Sequence, residues 1–471
     1  MVIKKTTPSS ENTLEQLREK ILKKIEKKVF SPRCKGKPEF YRLKFSVKPV
    51  DPLYWLQAQS IHPKIYWCDR KQDFELAGIG QADLISSRSG TDLPKMFNSV
   101  RKAMSLAGNS IRYFGGMSFD IHGKNERCWN SFGNFYFLLP RFELIKQRGQ
   151  TSLVINFHFA DQQDFELQRQ TLPADLESIV SQFSGKTEKI PELLKCEFNP
   201  GRTHWNNMIR MALNEIEGGC FEKIVLARQS KFEFAAPLNA FTLLHQLQQL
   251  DPDNVYFYLQ PQKDTCFVSG TPELLYARQG RNISSEAVAA TRLRGKNEQD
   301  EQRLEQELLT SPKDIKEHWY VLKSLNDRLN PLCQRLAQQG KTTVLKQARI
   351  QHLYAQLKGV LKQNISDDTI ILNLHPTPAV GGYPTQPALT RLKTLEPFDR
   401  GWYAAPVGWI SSHSAKFVVA IRSGLICENQ LVLFSGAGIV RGSQAQSEWN
   451  ETNNKIASYL KVLRIKEDLN S

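Results

Sequence analysis

The apolar positions along the chain predict a protein built from many short strands with helices between them. Between residues 40 and 160, alternating or continuous apolar runs such as YRLKFSV, NFYFLLPRFEL and SLVINFHF are separated by Gly, Pro and Asp. Runs of this kind are typical of antiparallel strands. After residue 200, helix-like and strand-like segments mix without a regular strand–helix–strand rhythm. We therefore expect an α+β fold with large antiparallel β-sheets.

The same pattern divides the chain into three parts. We expect a basic helical leader over 1–40, an N-terminal part of the fold over 41–195 and a second part over 196–470, with the last two forming one compact unit. In the second part the periodicity predicts helices over 203–217, 238–249, 300–337, 349–357, 386–395 and 444–465. It predicts strands over 222–234, 254–260, 265–269, 274–278, 403–410, 416–422 and 430–435.

The chain has 471 residues, of which 63 are Lys or Arg and 48 are Asp or Glu, a formal charge of +15. Residues 1–50 hold 14 basic and 5 acidic residues, so they carry +9 and the other 421 residues carry +6. A basic excess can attract nucleic acid or a membrane surface. However, the sequence has no RNA-recognition or zinc-finger pattern, no secretory signal and no apolar run of about 18 residues. We therefore expect a soluble, cytoplasmic protein that binds neither nucleic acid nor membrane.

The eight cysteines are scattered along the chain, and no two of them form a CxxC pair. This spacing provides no zinc, iron–sulfur or disulfide-exchange motif. Scattered cysteines in a large chain favour free thiols in a reducing compartment.

Two carboxylate pairs are spaced to share a helix face. Asp314 and Glu317 lie three residues apart in SPKDIKEHW, and Glu448 and Glu451 have the same spacing in QSEWNETNNK, with Lys455 four residues further on. Like charges held so close are unfavourable unless a metal cation or a cationic substrate lies between them. Because the ligands are all oxygens, the cation would be Mg²⁺ rather than Zn²⁺. Taken alone, each pair is equally typical of a solvated helix.

Further candidates lie at strand ends and in loops. Lys223 begins an apolar strand and can act as a general base if it is buried, whereas Glu273 follows a Thr-Pro turn and can act as a general acid. His375 lies in a loop stiffened by Pro and Gly, where functional groups are often placed. The backbone amides of the Gly-rich segment SGAGIVRGS, beginning with Gly436, can hold an anion near a helix N-terminus. Each of these residues also has an ordinary structural interpretation.

Together the segments resemble the chorismate-utilising enzymes, the family that includes anthranilate synthase component I, and among them the isochorismate synthases. The resemblance rests on FEKIVLAR, SGTPELL, SEAVAATRLRG, SPKDIKEH, LHPTPAVGGYP, EPFDRGWYAAPVGW, AIRSG and GAGIVRGSQAQSEWNETNNK, which occur in the family's order over roughly 220–455. ELAGIGQA, YFGGMSFD and LPRFEL extend it into the N-terminal half. The resemblance implies that the large antiparallel sheets pack as a sandwich core with helices outside, and that 196–470 is the chorismate-binding catalytic region.

The resemblance also implies a role for each candidate in the reaction. Lys223 matches the base that activates water for attack on C2 of chorismate, and Glu273 matches the acid that protonates the departing C4 hydroxyl. Glu317 and Glu451 match Mg²⁺ ligands. The remaining two carboxylates, Asp314 and Glu448, match supporting or water-mediated positions. The residues that match groups lining the pocket or holding the substrate's carboxylates are Thr291, His375, Tyr403, Arg422, Gly436 and Lys455.

The branch of the family follows from two positions. The members that add ammonia to chorismate lack a lysine at the position that matches Lys223, so its presence here favours water as the nucleophile. Two branches use water: the isochorismate synthases, and the salicylate synthases, which also eliminate pyruvate. Ala290, where many relatives have Gly, favours an isochorismate synthase over a salicylate synthase, and the long N-terminal half resembles the menaquinone type. A siderophore-pathway isochorismate synthase and a salicylate synthase remain the alternatives, and the resemblance favours a monomer.

Overall fold

The computed structural model describes residues 13, 16–28, 38–88, 92–107, 111–123, 126–181, 185, 187–347 and 350–465. These residues form eleven α-helices and twenty β-strands. The helices are α1 (Leu17–Glu26), α2 (Pro52–Ala58), α3 (Leu93–Ala107), α4 (Gln162–Glu177), α5 (Arg202–Glu217), α6 (Ala240–Leu250), α7 (Glu298–Thr310), α8 (Pro312–Leu329), α9 (Asp367–Leu374), α10 (Thr385–Leu395) and α11 (Ala445–Val462).

The strands of the N-terminal part are β1 (Glu39–Val47), β2 (Lys64–Cys68), β3 (Phe74–Ser87), β4 (Tyr113–Met117), β5 (Phe135–Gln147), β6 (Gln150–Phe159) and β7 (Leu193–Asn199). Those of the second part are β8 (Lys223–Phe234), β9 (Val255–Gln262), β10 (Thr265–Thr271), β11 (Leu274–Gln279), β12 (Asn282–Leu293), β13 (Cys333–Gln338), β14 (Thr343–Lys346), β15 (Ile350–Leu361), β16 (Gly382–Tyr383), β17 (Pro406–Ile410), β18 (Ser414–Val419), β19 (Ser423–Cys427) and β20 (Gln430–Val440).

All recorded strand pairings are antiparallel, as the alternating sequence pattern predicts. One arm of the sheet runs β7–β8–β20–β19–β10–β9–β2–β3–β5. From β5 a second arm continues as β4–β17–β18–β11–β12–β15 and ends with β13 and β14. The long β5 pairs with β4 near Phe135 and with β6 near Gln147, so the ribbon of strands branches there.

The two arms face each other across a shared core. This core contains Trp67 and Phe257 from the first arm and Leu275, Val407 and Phe417 from the second, all essentially without solvent exposure. Burial of large apolar side chains between two sheets is the main contribution to the stability of a sandwich. The α+β fold and its sandwich of antiparallel sheets, which the resemblance implied, are confirmed.

A second apolar core lies under the helices on the outer face of the first arm. It joins α2, α4, α6 and α11 to β1 and β6. Leu17, Ile21 and Ile25 of α1 are buried in it, while the lysines of α1 face solvent. The helical part of the basic leader is therefore docked on the body. None of the described helices is both long and apolar enough to cross a membrane.

The N-terminal and second parts share one sheet. β2 pairs with β9 through contacts such as Trp67 opposite Phe257, and β4 pairs with β17 with Phe114 opposite Trp409. Each arm therefore contains strands from both sides of residue 196.

Two helix predictions differ from the structure. The segment predicted as one helix over 300–337 is divided into α7, α8 and β13, because Ser311 caps a new helix by accepting from the Asp314 amide and Pro312 opens that helix. The segment predicted as a helix over 349–357 lies in β15, which pairs with β12, β13 and β14. Sheet pairing on both edges outweighs local helix propensity there.

Candidate active site

A cavity lies among β8, β12, β15 and β20, with α8 and α11 contributing to its wall. Its polar lining residues are Lys223, Glu273, Thr291, Glu317, His352, Tyr403, Arg422, Ser435 and Lys455. Backbone of Gly436 and Gly438 completes the wall on the β20 side. Seven of the eight residues predicted to catalyse or bind substrate line this cavity; His375 does not.

Lys223 and Glu317 form an ion pair within the cavity. Lys223 begins β8 with 1% of its side chain exposed, and its Nζ lies 3.0 Å from Oε1 of Glu317 on α8. Burial alone would raise the pKa of Glu317, but the charges of Lys223 and Lys455 outweigh it and lower that pKa. Glu317 is thus an anionic carboxylate on the cavity wall.

Gly438 makes room for that pair. A Cβ at Gly438 would lie 2.8 Å from Cε of Lys223 and 2.9 Å from Oε1 of Glu317, which is too close for either contact. The Gly-rich segment therefore serves as a strand that packs tightly against side chains. The amides of residues 436–438 lie within β20, paired with β8, rather than at the N-terminus of α11, which begins only at Ala445.

Glu273 faces the cavity from the connection between β10 and β11 and is 4% exposed. Burial raises its pKa to about 8, although the positive charges of Lys223, Arg422 and Lys455 act in the opposite direction. The carboxyl therefore holds its proton near neutral pH, which a general acid requires.

Three cationic or hydroxyl groups face Glu273 from the other side of the cavity. Lys455 donates from Nζ to the carbonyl oxygen of Gly436 at 2.8 Å, and the Tyr403 ring stacks on Phe434. Arg422 is held in the left-handed region at φ 50°. Strain of this kind is retained mainly at functional positions, and Arg422 lines the cavity. This group of donors suits a small anion with carboxylates.

The four predicted metal-binding carboxylates each have a basic partner. Glu451 pairs with Lys455 at 2.6 Å and Glu448 with Lys313 at 3.5 Å. Asp314 accepts from Nε and Nη2 of Arg292 at 3.0 and 2.7 Å, and the fourth carboxylate is Glu317, already described. In this arrangement, no group of three or more His, Cys, Asp or Glu within the described residues is close enough together to hold a metal ion.

The charges nevertheless show that three of these carboxylates share one region. Burial raises the pKa of Glu448, and the negative charges of Glu451 and Glu317 raise it further. Buried and partly buried carboxylates that repel one another fit a hard divalent cation, because such cations prefer oxygen ligands. Asp314 fits that role less well, because Arg292 already occupies its carboxylate.

His352 is a cavity residue that the sequence reasoning missed. It is 4% exposed on β15, directly opposite Thr291 of β12, whose Oγ1 lies 3.1 Å from Nδ1 of His352. Burial lowers its pKa well below the usual value, and Arg422 and Lys455 lower it further, so the ring is neutral. Strand alternation in IQHLYAQL could have indicated it, but the segment was assigned to a helix.

His375 lies away from the cavity, so its predicted contact with the substrate is not supported by its position. Its Nε2 lies 3.2 Å from the carbonyl oxygen of Phe119, and the two rings meet edge to face. The same loop contributes Ala379 and Val380 to the cavity instead. The Pro- and Gly-rich loop thus presents apolar residues, with the histidine packed behind it.

The chain matches the family model described as chorismate binding enzyme over residues 23–464. It is 34% identical over 444 residues to isochorismate synthase 2, chloroplastic, of Arabidopsis thaliana, covering 88% of this chain and 78% of that protein. It is 32% identical over 417 residues to isochorismate synthase MenF of Pasteurella multocida, covering 88% and 90%. The structure of MenF, the menaquinone-specific isochorismate synthase from Escherichia coli, superposes with a TM-score of 0.84 at 27% identity, covering 96% of this chain and all of that one.

Proposed function

The chain belongs to the family of chorismate-binding enzymes, and from this premise we propose that it is an isochorismate synthase. It converts chorismate into isochorismate, an isomerisation in which water adds at C2 and the hydroxyl at C4 leaves. The observation that carries the proposal is one cavity that holds a buried lysine and a buried, protonated glutamic acid beside a group of anion-binding donors. The isochorismate synthases that the chain resembles support the same reaction.

Lys223 acts as the general base. Released from its ion pair with Glu317 and in its neutral form, its Nζ takes a proton from the attacking water as the new C2–O bond forms. The position of Lys223 at the start of a buried strand, in the wall of the cavity, supports this role.

Glu273 acts as the general acid. It gives its proton to the C4 oxygen as the C4–O bond breaks, so that the departing hydroxyl leaves as water. One water is consumed and one is released, and the atoms balance as an isomerisation. The raised pKa of Glu273 supports this role, because an ionised carboxylate has no proton to give.

Chorismate is a dianion, and the cavity's donors hold its two carboxylates. Arg422, Lys455 and Tyr403 supply the positive charge and the hydroxyl for binding. Gly436 keeps the strand close enough to Tyr403 for both to face the same ligand, since a Cβ there would lie 3.0 Å from the Tyr403 hydroxyl.

The enzyme uses Mg²⁺, which Glu317, Glu448 and Glu451 would hold, with Asp314 in a supporting position. When bound, the ion neutralises carboxylate charge on the substrate and orients it. The all-oxygen donor set and the repulsion of the buried Glu448 by Glu451 and Glu317 support this part of the proposal.

The product feeds menaquinone synthesis in the cytoplasm, and the enzyme acts as a monomer. The first point is supported by relatives named MenF. The cytoplasmic location is supported by the free thiols of all seven cysteines that the structure describes, and the monomer rests on the family resemblance alone. A salicylate synthase differs by a further elimination of pyruvate, so product analysis separates the two activities.

The test is to incubate the purified protein with chorismate, with and without Mg²⁺, and to identify the products by chromatography. We expect isochorismate without salicylate or pyruvate, and only when Mg²⁺ is present. Lys223→Ala should abolish turnover, whereas Lys231→Ala, an exposed lysine on the same strand, should leave it unchanged. Salicylate with pyruvate would replace the proposal by the alternative, and full activity of Lys223→Ala would refute the base.

A further inference from the structure

A chain of hydrogen bonds runs behind the cavity wall from β10 to β15. Asn254 donates from Nδ2 to the carbonyl oxygen of Gly270 at 3.2 Å, and Gln347 donates from Nε2 to Oδ1 of Asn254 at 2.6 Å. Oε1 of Gln347 then lies 3.2 Å from Nε2 of His352 and 3.4 Å from Nη1 of Arg422. Gln347 therefore links two groups that line the cavity.

The direction of donation along this chain is fixed by its two ends. The carbonyl of Gly270 can only accept, and the guanidinium of Arg422 can only donate. Between them, the amides of Asn254 and Gln347 satisfy every contact in one orientation, in which each nitrogen donates toward Gly270 and each oxygen accepts. Oε1 of Gln347 is therefore an acceptor for His352 as well.

An acceptor at this position determines where the neutral imidazole of His352 carries its proton. With the hydrogen on Nε2, the ring donates to Gln347 and its Nδ1 accepts from the Thr291 hydroxyl. With the hydrogen on Nδ1, the lone pair of Nε2 would face the lone pairs of Gln347 Oε1. The competing acceptor for Nδ1–H is the backbone carbonyl of Ala290, which also interacts with the ring. Only the first tautomer satisfies both ring nitrogens through their side-chain partners.

We propose that Gln347 is a positioning residue that fixes His352 as the Nε2-protonated tautomer. The Thr291 hydroxyl must then donate its hydrogen bond to Nδ1 of His352. The remaining lone pair of Thr291 Oγ1 then faces the cavity as an acceptor. Gln347 itself does not line that cavity; it lines a neighbouring polar recess behind Arg422.

The consequence for the ligand rests on the proposed function. Chorismate has one hydroxyl besides its carboxyl groups, and an acceptor at Thr291 favours a ligand that donates from a ring hydroxyl over one with an ether or carbonyl there. Gln347 would therefore contribute to substrate selection through His352 and Thr291, without contacting the substrate.

Nitrogen NMR of protein labelled in its histidine rings tests the tautomer without any substrate. The His352 signals are identified by their loss in a His352→Gln variant. We expect the wild type to show hydrogen on Nε2 and a bare Nδ1. Gln347→Leu removes the acceptor and should move the hydrogen to Nδ1, whereas Gln347→Glu keeps an acceptor oxygen and should keep a hydrogen on Nε2. A wild-type ring with its hydrogen on Nδ1 alone overturns the proposal, even if the leucine variant does not fold.

Kinetics provide the second readout. Gln347→Leu should lower kcat/KM for chorismate about tenfold, the size expected for one lost hydrogen bond near the reacting groups. Gln356→Leu, on β15, the strand that carries His352, but outside the chain of hydrogen bonds, is the control and should change neither the kinetics nor the His352 spectrum. An unchanged tautomer in Gln347→Leu refutes the positioning role. A wild type with no activity on chorismate would refute the proposed function and leave the tautomer result to decide this inference.

Discussion

At the scale of single residues, Glu273 couples the chemistry of the cavity to pH. Its carboxyl is 4% exposed, and burial raises its pKa to about 8 although three positive charges surround it. Above that pH the carboxyl loses the proton that the proposed reaction needs. We expect kcat to fall as pH rises through about 8, as measured in a pH series at saturating chorismate.

The raised pKa of Glu273 also predicts that the free energy of unfolding depends on pH. Between about pH 4.5 and 8 the unfolded chain releases the proton of Glu273 while the folded protein keeps it, so folding becomes less favourable as pH rises. Glu273→Gln removes this dependence. Urea unfolding should therefore show that the gain from Glu273→Gln is larger at pH 8 than at about pH 5.5, by at most roughly 3 kcal/mol. An equal effect at both pH values would show that the wild-type carboxyl ionises normally.

Gly438 provides a second prediction at this scale. Gly438→Ala would push a methyl group against Lys223 and Glu317, both at under 3 Å. We expect turnover to fall at least tenfold with a small change in melting temperature, because the methyl displaces side chains at the cavity rather than the core. The control is Gly201→Ala, where the nearest atom to the added Cβ is 4.0 Å away. Equal activity of the two variants would contradict the tight packing.

Functional residues could be predicted from the sequence where their burial depends on neighbouring residues in the chain. They were missed where their position depends on contacts with residues far away in the chain. Lys223 and Glu273 lie in apolar segments, so their burial could be anticipated from local sequence. Thr291 and Arg422 were assigned through the resemblance. His352 reaches the cavity only because β15 pairs with β12, and His375 is turned away by its packing on Phe119. The sequence around each histidine shows neither the strand pairing that places His352 nor the packing on Phe119 that turns His375 away.

At the scale of elements, strand β8 and helix α11 hold the proposed base and two proposed metal ligands against each other. One face of β8 presents Lys223 to the cavity, and Arg228 on the opposite face is completely buried. Arg228 donates from Nε to Thr452 Oγ1 at 2.7 Å and from Nη2 to Asn453, while its guanidinium lies 3.8 Å from the centre of the Trp449 ring. Among the described residues its hydrogen-bond partners are neutral oxygens, and Nη1 has none.

A buried cation with only neutral partners is costly, and burial lowers the pKa of Arg228 to about 9. We expect Arg228 to be retained because it fixes α11, whose Trp449 and Thr452 flank the proposed ligand Glu451. Arg228→Lys should weaken Mg²⁺ binding about tenfold by calorimetry, beyond any change in melting temperature. Arg202→Gln removes the other cation stacked on Trp449 and should leave Mg²⁺ affinity unchanged. If Arg228→Lys lowered the melting temperature but left Mg²⁺ affinity unchanged, Arg228 would contribute to packing and stability only.

Element types were predictable where the apolar pattern was regular, as in β8 and α5. They were mispredicted where pairing decides, as in β15, or where one cap divides a continuous charged pattern, as at Ser311. Local sequence carries propensity and capping signals, but the partner of a strand lies elsewhere in the chain.

At the scale of the whole molecule, the two parts are successive along the sequence but are not separate in the fold, because their strands share one sheet. Strands from 41–195 separate or extend strands from 196–470, as β2 does beside β9 and β4 beside β17. The cavity itself draws its polar residues from the second part alone. The N-terminal strands therefore support the site by completing the sheets behind it.

The net charge of +15 is a poor guide to the ligand at this scale. More than half of the excess lies in residues 1–50, whereas the cavity wall holds only three basic side chains, one anionic carboxylate and one protonated carboxyl. A small dianion with a divalent cation matches such a set better than a nucleic acid does. The placement of a few charges, rather than their sum, identifies the chemistry.

Isotope transfer from solvent tests the central claim most directly. The enzyme is given chorismate and Mg²⁺ in water enriched in ¹⁸O, and isochorismate from early turnover is examined by mass spectrometry. The account predicts one ¹⁸O atom, at the C2 hydroxyl, because that oxygen comes from water while the original C4 oxygen is lost. Isochorismate without label would contradict water attack at C2, and absence of any isochorismate would contradict the proposed activity itself.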